Sequence, residues 1–118
     1  MAWQVRFDPD FEPEFDRLEP AVQDEILAQA VLLETFGPGL GRPRVDTLKG
    51  SVHPNLKELR FEASGGAWRV AFAFDPERQA ILLMGGNKSG IGQERFYRGL
   101  IRKADSRFSR HLQRLKEV

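Results

Sequence analysis

The sequence predicts an α+β domain: a helical hairpin and a C-terminal helix around a mostly antiparallel four-stranded sheet. Three observations carry that expectation. Apolar and polar residues alternate at Trp3–Phe7 and in three runs between residues 55 and 85. Apolar residues recur at helical spacing in two other stretches, 11–33 and 97–115. The three central runs are joined by turns short enough to require antiparallel pairing. At 118 residues the chain makes one domain, spanning 1–118.

Each element has a local reason. Trp3, Val5 and Phe7 alternate with Gln4 and Arg6 as a half-buried strand. Asp8-Pro9 supplies a capping side chain followed by proline, the signature of a helix start. Phe11, Phe15 and Leu18 give the first helix its stripe. Glu19-Pro20 breaks it and opens a second, whose stripe is Val22, Ile26, Ala30 and Leu33, widened by Leu27 and Val31. Gly37 terminates it. Residues 55–62, 67–75 and 79–85 read as strands, with turns at Ser64-Gly65-Gly66 and Asp75-Pro76-Glu77. A helix from about Gln93 to Lys116 completes the domain, with Tyr97, Ile101, Ala104, Phe108, Leu112 and Leu115 on its apolar side.

The tight turn at Ser64-Gly65 sets Phe61 across from Trp68 and Arg60 across from Arg69. The Phe61–Trp68 face is then expected to be buried against helices, and the Arg60–Arg69 face to be open. Two facing arginines repel unless an anion lies between them. Glu58 is one such anion and an RNA phosphate another.

Composition narrows the chemistry. The net charge is +1, but residues 1–41 hold nine acids and two bases, a net −7, and residues 42–118 hold sixteen bases and eight acids, a net +8. A basic C-terminal part with cations inside its strands suggests a polyanion surface. There is no cysteine, and the two histidines, His53 and His111, are far apart and read as surface residues, so no metal or cofactor is expected. No apolar run approaches the roughly 20 residues of a membrane span, and no signal sequence is evident, so a cytoplasmic protein is expected. Gly85–Gly92 sits between a strand and a helix like a phosphate-binding loop, but lacks the order of a nucleotide-binding motif. Its amides and Lys88 suit a phosphate nonetheless.

Arginine, lysine, tyrosine and glutamate together are enough to cleave RNA. The 2′-hydroxyl attacks the adjacent phosphate while guanidinium and ammonium groups stabilise the transition state. A lysine with a lowered pKa, sitting among other cations, would serve as general base or acid.

The words Gly41-Arg42-Pro43 with Asp46, Leu48-Lys49-Gly50-Ser51, Asn55-Leu56-Lys57-Glu58-Leu59-Arg60, Trp68-Arg69-Val70 and the later Lys88 carry a resemblance. In that order they resemble the RelE/ParE toxin superfamily, in its HigB-like, phage-derived Gp49-like branch, and the element plan matches over nearly the whole chain. The resemblance implies the toxin of a type II toxin–antitoxin pair, a metal-independent endoribonuclease that cuts mRNA on the ribosome and is neutralised by a helix-turn-helix antitoxin. It implies that Arg69 contacts the scissile phosphate, with Lys88 and Tyr97 nearby. Lys57 fits the family word, yet alternation points it with Leu59 toward the core. The catalytic candidates are thus Arg69, Lys88, Arg60, Lys57, Glu58 and Tyr97. Arg42, Lys49, Arg95, Arg98 and Arg102 are the expected RNA or ribosome contacts. A ParE-like gyrase poison and a non-catalytic RNA- or partner-binding module are the alternatives.

Overall fold

The computed structural model describes residues 3–117. Strand β1 (Gln4–Phe7) leads into helices α1 (Phe11–Asp16) and α2 (Pro20–Phe36). A 3-10 turn at Gly37–Gly39 follows, then β2 (Val45–Thr47), β3 (Lys57–Ala63), β4 (Gly66–Phe74), β5 (Gln79–Asn87) and α3 (Gln93–Lys116). The strands form one five-stranded sheet in the order β1-β5-β4-β3-β2. β1 runs parallel to β5 and the other pairs are antiparallel. The strand beyond the expected four is β2. Three residues are too few to display an alternation, and pairing with β3 is what makes them a strand.

Asp8 organises the start of the helical hairpin. Its carbonyl accepts from the amides of Phe11 and Glu12, and its carboxylate accepts from the Asp10 amide at 2.9 Å. Regular helix therefore begins at Phe11 rather than directly after Asp8. α2 ends at Gly37, whose φ of 53° favours glycine. A Cβ there would also lie 2.3 Å from the Trp3 ring. Trp3 packs edge-on against Phe74 and lies under the Arg78 guanidinium, 4.4 Å from the ring centroid.

The predicted register holds: Phe61 pairs with Trp68 and Arg60 with Arg69. On one side of the sheet, Phe11, Val22, Ile26 and Leu33 of the hairpin pack with Leu59, Val70, Phe72 and Leu82. On the other, Leu100, Ala104 and Phe108 of α3 pack with Leu56, Ala71, Ala73 and Ile81. In β5 a bulge adds one residue: Ala71 pairs with Met84 and Phe72 with Leu82, leaving Leu83 between them. Leu27 and Val31, expected to widen the α2 stripe, remain 47% and 58% exposed.

The expectation of an open Arg60–Arg69 face needs correction. α3 lies along that face, and Arg69 is only 7% exposed. Ala71 and Ala73 do leave space above the sheet, but it is filled largely by α3, whose Ala104 lets the backbones approach.

Charge holds α3 in that position. Arg107, one of many basic residues along α3, is buried. Its guanidinium donates to both carboxylate oxygens of Glu14, at 2.9 and 2.5 Å, and to the Leu83 carbonyl at 2.8 Å. Arg110 pairs with Asp10 at 2.7 Å and Arg114 with Asp8 at 3.4 Å. The hydrogen bond from Arg107 holds the Glu14 carboxyl below its ordinary range, against the opposing effect of burial. His111 Nε2 lies 2.8 Å from the buried Asp75 carboxylate, so this histidine has a carboxylate partner that the sequence did not reveal.

Two stability measurements follow. Glu14→Ala leaves a buried guanidinium without its anion and should cost about 3 kcal/mol in denaturant unfolding, the low end of the range for broken buried pairs because Glu14 is partly exposed. Asp10→Ala breaks a half-exposed pair and should cost under about 1 kcal/mol. The second measurement concerns Asp75. Burial alone would raise its carboxyl, but bonds from His111, the Gln79 and Glu77 amides and the Gln79 side chain outweigh burial and hold it below the ordinary value. A depressed acid contributes stability that is complete above its unfolded pKa, about 3.9, and is lost as pH falls through the folded value. Thermal unfolding of Asp75→Asn should therefore show lower stability at pH 7 and a shallower decline below pH 4 than the wild type.

Candidate functional site

Four of the nine predicted cations meet in one groove, with two of the other candidates. Arg42, Lys49, Glu58, Arg60, Lys88 and Tyr97 line a cavity of about 390 Å³ between β2 and the first turns of α3, above β3. Each has a structural reason to be there. Arg42 and Lys49 flank β2. Glu58 and Arg60 project from β3 on the same face, two residues apart. Lys88 follows β5, fixed through its amide to the Ala67 carbonyl at 2.7 Å. Tyr97 reaches down from α3.

At the floor of the groove lies a largely buried polar triad. Arg69 Nε donates to the Tyr97 hydroxyl at 3.2 Å, and that hydroxyl donates to Glu58 Oε1 at 2.8 Å. Arg69 Nε is 3.7 Å from the same carboxylate oxygen, and its Nη1 donates to the Trp68 carbonyl at 2.8 Å. Glu58 faces Ala71 across the strands, and the small alanine leaves room for the diagonal approach of Arg69. Burial pushes the Glu58 carboxyl up, more than the Tyr97 hydrogen bond and the charges of Arg69 and Arg60 pull it down. Burial, followed by the bond to Glu58, also raises the Tyr97 hydroxyl.

The two facing arginines are neutralised separately. Glu58 serves Arg69, as the sequence suggested. Asp46 serves Arg60 at 3.7 Å and Arg42 at 2.9 Å. The hydrogen bond from Arg42, then the Thr47 amide, lowers the Asp46 carboxyl. Arg60 and Arg69 also line, with Pro43 and Ala67, a cavity of about 370 Å³. Arg69 thus keeps one approach that α3 does not close.

Three expected RNA contacts lie outside the groove. Arg98 and Arg102 line an adjoining cavity of about 760 Å³ that shares Lys49, Gln93, Tyr97 and Ile101 with it. Arg95 lines a separate cavity beside Phe96 and Lys103. Lys57, a catalytic candidate, does not line the groove either. It shares the face of Leu59, as alternation dictates, and its ammonium is 3.4 Å from Thr47 Oγ1 at the exposed sheet edge. Sequence reasoning assigned no role to Asp46 or Gln93. The i, i+4 spacing of Arg42 and Asp46 was the available signal for the former; nothing marked the latter. Among the described residues no group of three His, Cys, Asp or Glu side chains is placed to hold a metal ion.

Comparison with known proteins agrees with this architecture. Residues 13–109 match the model of the phage-derived protein Gp49-like family. Two Mycobacterium tuberculosis proteins named as toxins are similar in sequence. HigB2 is 43% identical over 102 residues, covering 86% of this chain and 50% of that protein. HigB3 is 53% identical over 76 residues, covering 64% of each. The chain therefore spans about half the length of one relative and under two thirds of the other. Among solved structures, a mutant of the Escherichia coli toxin RelE in the free state superposes with a TM-score of 0.60 at 17% identity, covering 87% of this chain and 97% of that one. A chain of the archaeal RelE-RelB complex of Pyrococcus horikoshii superposes at 0.54 with 19% identity, covering 77% of this chain and 100% of that one. The chain thus belongs to the phage-derived Gp49-like family, and its α+β fold is the one shared by the RelE toxins.

Proposed function

We propose that this protein is the toxin of a type II toxin–antitoxin pair and acts as a metal-independent endoribonuclease on ribosome-bound mRNA. The observation that carries the reading is the convergence of Arg42, Lys49, Arg60 and Lys88 on one groove above the Arg69–Tyr97–Glu58 triad. Such a groove attracts a polyanion and offers donors to a phosphate in transition.

The reaction follows from these groups. The substrate's 2′-oxygen bonds to phosphorus, and the bond to the departing 5′-oxygen breaks, leaving a 2′,3′-cyclic phosphate and a 5′-hydroxyl. Tyr97 and Glu58 take the 2′-hydroxyl proton, the raised carboxyl being closer to the working pH than an ordinary glutamate. Lys88 gives a proton to the leaving oxygen. Arg60 and Arg69 hold the extra negative charge on the phosphate, which enters beside Pro43 and Ala67 where Arg69 is reachable. With few groups to align a flexible strand, the site needs the ribosome to present its substrate, so naked RNA should be cut slowly.

The partner is an antitoxin with an acidic or apolar segment that covers the groove and the basic side of α3. The Pyrococcus RelE-RelB complex supports this, since it pairs the same fold with a second protein. The site of action is the cytoplasm, where mRNA meets the ribosome. No helix among the described residues is long and apolar enough to cross a membrane.

Arg69→Ala should lower cleavage of ribosome-bound mRNA about 10²–10³-fold, with Lys88→Ala acting in the same direction. Lys116→Ala, at the exposed end of α3, is the matched control. Arg78 is unsuitable despite its turn position, because its guanidinium packs on Trp3. Wild-type cleavage by folded Arg69→Ala, or growth arrest through gyrase without cut mRNA, would overturn the reading.

Glu58→Gln separates function from stability. An acid with a raised folded pKa loses stability as pH climbs from its unfolded value through the folded one. The amide escapes that loss and still accepts from Tyr97. Thermal unfolding should show Glu58→Gln gaining stability relative to the wild type as pH rises from about 4 to 8, while its cleavage falls by about 10² or more.

A further inference from the structure

Among the described residues two acids line the cationic groove, Glu58 and Asp46. The reaction above uses Glu58 and gives Asp46 no part. A carboxylate in a groove that attracts a polyanion weakens the attraction, so substrate binding does not account for Asp46. β2 pairs it directly with Glu58, so the two carboxylates rise from one face of the sheet. That register is secured on both sides. The Arg60 amide donates to the Arg44 carbonyl at 2.8 Å, and the Leu48 amide to the Leu56 carbonyl at 2.9 Å. Asp46 Oδ1 accepts from the Thr47 amide at 2.9 Å, while Oδ2 meets two guanidiniums, Arg42 at 2.9 Å and Arg60 at 3.7 Å. The Arg42 contact is a hydrogen bond. The Arg60 contact is too long for one, so Arg60 is drawn toward Asp46 with its donors still available.

Arg60 has two carboxylates to choose between. Glu58 lies two residues away on the same face of β3, and Asp46 stands across from Glu58 on β2. Glu58 already has the Arg69 guanidinium 3.7 Å away. A second guanidinium would hold it as an ion and withdraw both groups from the reaction. We propose that Asp46 is a positioning residue of the cleavage site, which draws Arg60 off Glu58, aims that guanidinium at the substrate phosphate and leaves Glu58 with Tyr97 to take the proton. The inference rests on the ribonuclease reading. The charges facing Glu58 fit this division: Asp46 from β2, Arg60 in β3, Arg69 from β4 and the Tyr97 hydroxyl from α3, with Arg42, Lys49 and Lys88 along the groove. Burial chiefly raises the Glu58 carboxyl; the charges of Arg69 and Arg60 lower it, and that of Asp46 adds to the rise. Asp46 itself, held low by the Arg42 hydrogen bond, stays ionised while Glu58 titrates.

The test measures cleavage of ribosome-bound mRNA by the full chain and its variants. Asp46→Asn keeps the size of the side chain and an acceptor for the Thr47 amide, but frees Arg60 to turn to Glu58. Its kcat should fall about 10–10²-fold, the cost of a misplaced group, while KM stays level or drops because the groove has lost an acid. The acidic limb of its kcat–pH profile should move to lower pH, since Glu58 then gains a guanidinium and loses a like charge. Carboxyl NMR without substrate should show the same downward move of Glu58. Asp46→Glu keeps the charge and should recover most of kcat. In an Arg60→Ala background Asp46→Asn should cost little more, because the two residues act as a unit. Thermal unfolding identifies any variant that has lost its fold, and Asp46→Thr, with a strand-forming side chain, takes the place of Asp46→Asn if the latter unfolds. A folded variant with wild-type or higher kcat and an unmoved Glu58 titration would overturn the positioning role. So would an equal loss of kcat in the Arg60→Ala background. A wild type that cuts no mRNA would overturn the ribonuclease reading instead, and the Glu58 titration would still decide whether Asp46 holds Arg60 away.

Discussion

Arg107 is the pin on which the architecture turns. A guanidinium withdrawn from water is stable only where its donors are met. Here the demands are met from two directions, by the Glu14 carboxylate of α1 and by the Leu83 carbonyl in β5. Leu83 is the extra residue of the bulge, outside the β4 register. The bulge, the hairpin and α3 therefore specify one another. With Arg107 fixed, the ten residues N-terminal to it cross the sheet and bring Tyr97 over Arg69 and Glu58. Without that anchorage the groove would have one wall.

The charge asymmetry takes on a different meaning in this light. Three of the nine acids of the first part lie along α3, where Asp8, Asp10 and Glu14 meet Arg114, Arg110 and Arg107. The cations left near the start of α3 and around β2 are those without such partners in the acidic segment, and they surround the groove. Part of the charge asymmetry of the sequence is thus used in holding the helix, and the remaining cations give the groove its sign.

Much of this was legible in the residues. The turn at Ser64-Gly65 fixed the β3–β4 register, because a slip of one residue would have put Arg60 and Arg69 in the hairpin core. The bounds of α3 were written in its apolar period. What covers the Arg60–Arg69 face was not legible. Ala71 and Ala73 say that something comes close, but a phosphate and a helix satisfy a small residue equally well. Arg107 looked like its exposed neighbours, since helical position reports burial only once the partner is known. Asp46, by contrast, stood in the motif with Arg42 four residues away, yet a three-residue strand has no periodic signature to orient either side chain. Glu58 was readable as the partner of Arg69, while Tyr97 fitted the helix stripe and the candidate site alike, and in the structure it both packs beside the α3 core and donates to Glu58.

The contacts that secure α3 join residues about as far apart in the chain as its length allows, with separations of 93 to 106. Such contacts close a very long loop, and they form only when the sheet that offers the Leu83 carbonyl already exists. Docking of the last helix therefore comes late in folding, and the groove is its product. A chain whose C-terminal helix is still inside the ribosome that synthesises it has Arg69 and Glu58 but no Tyr97 above them. The order of synthesis and the order of assembly coincide, so the groove is completed only after α3 has left the ribosome.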